Sequence, residues 1–143
     1  MANTQEGEPQ ETLEISGSVL TGFNMGAYFM SQKGYVEQIY EKLSFKPYAG
    51  TLNIKVIEKD MGSFLKLRHS GGITVKGFEA EGKTFGDAIL HRAEIRGLEC
   101  AVIIPKLSKH KDVMEVISER NLRQAFDLSD GSVITVKVYL DVS

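Results

Sequence analysis

The chain has 143 residues, 42% of them hydrophobic and 25% charged, enough for one domain around a single core. Its 17 Lys and Arg against 19 Asp and Glu leave a formal charge of -2, so it carries no basic footprint for duplex DNA or RNA. One cysteine, Cys100, excludes an intrachain disulfide and a cysteine-based zinc site.

Met1 to Glu11 is polar and acidic, without the apolar centre of a signal peptide, and is expected to form a disordered tail ahead of a single domain over 12–143. No stretch approaches the roughly 18 apolar residues of a membrane-spanning helix. A cytoplasmic monomer with no nucleic-acid or membrane partner is the expectation.

From Thr12 the pattern alternates, with Leu13, Ile15, Gly17 and Val19 on one face, which predicts a strand. A glycine loop, Gly22-Phe23-Asn24-Met25-Gly26, interrupts it, and Ala27 to Met30 suits a short return strand. Tyr35, Ile39 and Leu43 recur every four residues and predict an amphipathic helix of about three turns. After the turn at Pro47 to Gly50, Thr51 to Ile57 reads as a strand with Leu52, Ile54 and Val56 on one face. Lys59 to Leu67 fits neither period well. Ile73 to Ala80, Thr84 to Ile95 and Leu98 to Ile104 read as strands divided by turns at Gly82 and Gly97. Val113 to Ile117 reads as a strand, Glu119 to Phe126 as a short helix, Ser129 to Gly131 as a turn and Val133 to Leu140 as the last strand. The sum is a mainly β chain, a barrel of about six strands with two or three short helices.

The candidate chemistry is spread along this frame, and each motif admits a plain structural reading beside a functional one. The loop Gly22 to Gly26 can turn its backbone N–H groups onto phosphates, or it is a hairpin turn. No P-loop motif is present. Thr51 and Asn53 share a strand face, where two neutral oxygens suit a hard cation such as Mg²⁺ if phosphates complete the shell, or they cap a turn. Glu115 is the single acid in Val113 to Ile117, either a solvated strand residue or a general base. Arg123, within Asn121-Leu122-Arg123-Gln124, can hold a phosphate or form a surface ion pair. Cys100 lies in an apolar run and reads as a buried hydrophobe; His69, His91 and His110 have no ligand spacing.

The order of these segments resembles the archaeal CTP-dependent riboflavin kinases. It comprises a glycine loop ending in Gly26-Ala27-Tyr28-Phe29, then Gly34-Tyr35 and Lys42-Leu43-Ser44-Phe45-Lys46-Pro47-Tyr48. Gly50-Thr51-Leu52-Asn53-Ile54-Lys55, Thr84-Phe85-Gly86, Val102 to Pro105, Asp112 to Ile117, Leu122-Arg123 and Asp130-Gly131 follow. The segment Pro47-Tyr48-Ala49-Gly50-Thr51-Leu52-Asn53 is the most specific, and the similarity runs from Ile15 to Val138.

The resemblance implies a cradle-loop β-barrel that passes the γ-phosphate of CTP to the 5′-hydroxyl of riboflavin, giving FMN and CDP. It implies Mg²⁺ at Thr51 and Asn53. The nucleotide would be held at Gly22, Phe23, Asn24, Met25, Gly26 and Ala27 and at Asn121, Leu122, Arg123 and Gln124, and the flavin contacted by Ser108 and Glu115. Asn24 and Ser44 stand where the family commonly has glycine, Met25 where it has an acid, Ser108 where it has threonine and Gln124 where it has glutamate. A non-catalytic flavin- or nucleotide-binding module on the same barrel is the alternative. A DNA-binding factor of related fold is opposed by the net charge.

Overall fold

The computed structural model describes residues 11–22, 26–108 and 111–140. Nine strands are found among them: β1 (Thr12–Leu20), β2 (Leu52–Val56), β3 (Ile73–Val75), β4 (Phe78–Ala80), β5 (Lys83–Phe85), β6 (Ala88–Ile95), β7 (Leu98–Pro105), β8 (Val113–Ile117) and β9 (Val133–Tyr139). Four short helices accompany them: α1 (Gly26–Phe29), α2 (Lys33–Leu43), α3 (Met61–Arg68) and α4 (Leu122–Ala125).

Six strands close on themselves. The antiparallel order β6-β7-β8-β2-β1-β9 is completed by a β6–β9 pairing through Ala93↔Val138 and Glu94↔Lys137. The mainly β barrel expected from the alternating strands is therefore present, and closure leaves no free edge around the ring. Its interior is filled by Ile15, Ile54, Val102, Met114, Val136 and Val138, each fully buried, with Phe64 and Leu67 of α3 joining the same core. Leu52, Ile54 and Val56 point inward, as the alternation of β2 predicts.

A second core lies outside the barrel. The stripe Tyr35, Ile39 and Leu43 of α2 packs with Leu90, Ala101, Ile103 and Ile117, which face outward from β6, β7 and β8. These strands are thus buried on both faces, which explains the unbroken run Cys100-Ala101-Val102-Ile103-Ile104. On β1 and β9 the outer face is wetter, and the sequence alternates.

Three expectations need correction. Ala27 to Met30 is not a return strand: Gly26–Phe29 is helical and Met30 N donates to Gly26 O at 2.9 Å. Ile73 to Ala80 is two strands, because Gln38 of α2 takes the place of a neighbouring strand at Lys76, accepting from its N–H and donating to its carbonyl, both at 2.8 Å. Thr84 to Ile95 is likewise divided, at Gly86 and Asp87, where Asp87 Oδ1 accepts from Gly77 N at 2.6 Å. The ambiguous Lys59 to Leu67 forms a 3-10 turn and most of α3. The turns at Gly82 and Gly97 are as expected. Glu81-Gly82 and Arg96-Gly97 both have positive φ at both residues, the twist that two-residue hairpins favour.

Candidate functional site

Because side chains alternate along β2, the inward set Leu52, Ile54 and Val56 leaves Asn53 on the outer wall. Antiparallel register sets Asn53 opposite Glu115 of β8, and Glu115 opposite Ile103 of β7. Directly opposed residues project to the same side, so an amide, a carboxyl group and an apolar side chain stand in one row across three strands. Thr51 immediately precedes β2. Its carbonyl oxygen and Oγ1 each lie 3.4 Å from Asn53 Nδ2, at the outer limit of hydrogen bonding.

An outward amide on a barrel is ordinarily wet, yet Asn53 is only 8% exposed. Gly22, at the start of the glycine loop, lies against it. A Cβ at Gly22 would overlap the Asn53 amide, and a Cβ at Gly26 would overlap Thr51 Oγ1 and come within 3.1 Å of Thr51 N. The two ends of the loop thus rest on the two residues singled out as cation ligands, and a side chain at either end would have to displace them, at Gly26 against the Thr51 backbone as well. Phe23, Asn24 and Met25 lie outside the described residues; Ala27 follows on α1, exposed.

Beside Thr51 a cleft of about 170 Å³ opens between β2 and α4, lined by Tyr48, Thr51, Ser118, Arg120, Asn121 and Arg123 among others. Asn121 caps α4 by accepting from Gln124 N at 3.3 Å, and its Nδ2 donates to the Tyr48 hydroxyl at 3.1 Å. Arg123 donates to Asp130 Oδ1 at 2.7 Å, and Thr21 Oγ1 donates to the same carboxylate at 2.9 Å. Those bonds, Arg123 first and Thr21 second, hold the Asp130 carboxyl below the usual carboxylate range.

Gly22, Gly26, Thr51, Asn53 and Glu115 are therefore brought together on one patch of outer wall, and Asn121 and Arg123 border the adjoining cleft. Leu122 is buried in the barrel core, and Gln124 is exposed on α4. Ser108 sits in the β7–β8 connection, its N–H donating to Pro105 O at 3.2 Å, just before β8 brings in Glu115. Among the described residues no group of three or more His, Cys, Asp or Glu is placed to hold a metal ion. The neutral oxygens of Thr51 and Asn53 are donors of another kind, compatible with a hard cation whose remaining ligands come from phosphate.

Sequence reasoning missed Tyr48, Ser118 and Arg120 in the cleft and the carboxylate of Asp130. Tyr48 and Asp130 both lie in segments that carry the resemblance, Tyr48 in the most specific one, but neither was given a role there.

The family model CTP-dep_RFKase, described as domain of unknown function DUF120, matches residues 19–138. Similar curated proteins named riboflavin kinase include that of Picrophilus torridus, 38% identical over 131 residues, covering 92% of this chain and 59% of the relative. That of Thermoplasma acidophilum is 40% identical over 125 residues, 87% of this chain and 57% of the relative. That of Archaeoglobus fulgidus is 37% identical over 134 residues, 93% and 58% respectively. The chain spans about three fifths of the length of these relatives. The matched segment runs from the end of β1 through nearly all of β9, taking in both glycine-loop ends, Thr51, Asn53, Glu115 and α4, and the chain belongs to the CTP-dependent riboflavin kinase domain family.

Proposed function

We propose that this domain is a riboflavin kinase that transfers the γ-phosphoryl group of CTP to the 5′-hydroxyl of riboflavin. The bond from the γ-phosphorus to the β–γ bridging oxygen breaks as the riboflavin O–P bond forms, so CDP leaves and FMN is made. The observation that carries the reading is the meeting of Gly22 and Gly26 with Asn53 and Thr51, one strand away from Glu115.

Phosphoryl transfer asks a protein mainly to position two substrates and to offset charge. Backbone N–H groups of the glycine loop would face the phosphates, and Arg123 at the neighbouring cleft adds a fixed positive charge. Thr51 Oγ1 and Asn53 Oδ1 would hold Mg²⁺, a half-turn of the Asn53 amide exchanging the oxygen for the nitrogen that now faces Thr51. Once bound, the ion offsets the charge of the phosphates. Glu115, across the ladder from Asn53, would orient the riboflavin hydroxyl and take its proton late in the transfer. Ser108 would contact the flavin from the β7–β8 connection.

The test is incubation with riboflavin, Mg²⁺ and each of the four nucleoside triphosphates in turn, following FMN. CTP should support turnover far better than ATP. Equal or better turnover with ATP overturns the donor assignment, and FMN binding without turnover by any donor points to a binding module on the same barrel.

A further inference from the structure

Asp130 connects elements that are far apart in sequence. It lies in the turn before β9, and the turn's backbone is fixed to the end of β1: Gly131 N donates to Val19 O at 2.7 Å and Val19 N to Ser132 O at 2.8 Å. From this anchored position the carboxylate reaches in two directions. One oxygen lies 2.7 Å from the Arg123 guanidinium, and both accept from Thr21 Oγ1, at 2.9 and 3.1 Å. Thr21 is the residue before Gly22, and Gly22 rests on the Asn53 amide. Arg123 lines the cleft beside Thr51, and Leu128 N, just before the turn that holds Asp130, donates to Arg123 O at 2.8 Å.

We propose that Asp130 is a positioning residue for the nucleotide, fixing through Thr21 the entry to the glycine loop and through one guanidinium nitrogen the direction of Arg123. The proposal rests on the kinase reading above. The pair engages a single nitrogen of Arg123, and a guanidinium has five N–H donors in a rigid fork, so others remain for a phosphate. Held by Asp130, Arg123 does not have to be ordered when the nucleotide arrives, which lowers the entropic cost of binding. Asp130 itself need not touch the substrate. Its side chain is 63% exposed, so its removal leaves no buried charge without a partner and does not threaten the fold.

The experiment compares wild type with Asp130→Ala, Asp130→Asn and Asp130→Glu, measuring the KM for CTP, the KM for riboflavin, kcat, the dissociation constant of CDP and Tm. Loss of two exposed contacts should raise the CTP and CDP constants about tenfold in Asp130→Ala. The riboflavin KM should stay within about twofold and Tm should hold, since neither depends on the tie. Asp130→Asn keeps an acceptor for Thr21 and should fall between, and Asp130→Glu should restore part of the affinity. Nucleotide constants unchanged in Asp130→Ala, or the nucleotide and riboflavin constants rising together as Tm falls, overturn the proposal.

A second readout needs no turnover. Amide hydrogen exchange at Thr21 and Gly22 in ligand-free protein should quicken in Asp130→Ala, and unchanged exchange also overturns the proposal. A wild-type protein that forms no FMN with any donor, while Asp130→Ala still loosens these amides, overturns the kinase reading and leaves the tie itself established.

Discussion

Asn53 of β2 and Glu115 of β8 are register partners on the outer wall of the barrel, with Leu52↔Val116 and Ile54↔Met114 on either side of them facing the core. The two inward pairs settle the register, since a slip of either strand by one residue would turn its two apolar side chains out and its amide or carboxyl group in. The barrel core therefore fixes the spacing of the site. An amide that could hold a cation and a carboxyl group that could accept a proton are held a strand spacing apart by residues with no chemistry of their own.

If Thr51 and Asn53 hold Mg²⁺, Thr51→Val and Asn53→Ala should each abolish metal-dependent FMN formation while circular dichroism stays that of the native fold. Neither change removes much buried apolar surface, and stability should fall by less than about 2 kcal/mol. Near-normal turnover in both variants refutes the ligand assignment, and a larger loss of stability would instead mark the two residues as turn caps.

Ser44 ends α2 in the left-handed region, at φ 67° and ψ 22°, with its N–H donating to Tyr40 O at 2.9 Å. This conformation favours glycine at a helix C-terminus, and the Ser44 side chain is exposed at the end of α2. Ser44→Gly should therefore raise stability by about 0.5–1 kcal/mol, a few degrees in Tm, with kinetics unchanged. A lower Tm would mean that the hydroxyl contributes more than the backbone strain costs.

Much of the architecture was legible because it is written locally. The alternation in β1 and β9 records a wet outer face, the four-residue spacing in α2 records its single buried stripe, and the glycines at 82 and 97 mark two-residue turns. What escaped depends on partners distant in the chain. The break after Val75 follows from Gln38 bonding Lys76, and the division before Ala88 accompanies the bond from Gly77 to Asp87; neither period-two pattern foretells such a bond. Gly26–Phe29 is too short for any period to separate strand from helix. In the site, Thr51 and Asn53 could be paired from strand alternation alone. The opposition of Asn53 to Glu115 needs the β2–β8 register, and the reach of Asp130 to Arg123 needs the turn anchored on β1.

Cys100 is buried, and burial pushes its thiol up to about 12, with Glu94 and Glu99 adding to the effect. The thiolate is the reactive form, so at pH 8 roughly one thiol in ten thousand is ionised in the folded protein. Iodoacetamide should leave native protein unlabelled and modify one thiol per chain in denaturant. The folded value lies above the ordinary 9.0, so the fold favours the neutral thiol. That contribution is complete below pH 9 and is lost as pH rises from there toward 12. Tm should fall more steeply above pH 9 in wild type than in Cys100→Ala. Labelling of native protein at the rate of a free cysteine would show that the site opens readily.

Glu115→Gln separates the two readings of the acid on β8. The substitution keeps the size of the side chain and its capacity to accept a hydrogen bond from the riboflavin hydroxyl, while removing charge and basicity. The half-buried position on a strand tolerates it, because Val116 and Met114, which hold the strand in the core, are untouched. A residue that takes the hydroxyl proton in the transition state affects kcat more than binding, and general-base roles contribute about 10²–10⁴ in rate. FMN formation should fall by that order with the KM for riboflavin changed little. In a loose phosphoryl-transfer transition state the proton leaves late, and a fall near tenfold would assign Glu115 to orienting the hydroxyl. An unchanged kcat would make Glu115 a wall residue beside the site, leaving the chemistry to Thr51, Asn53 and the glycine loop.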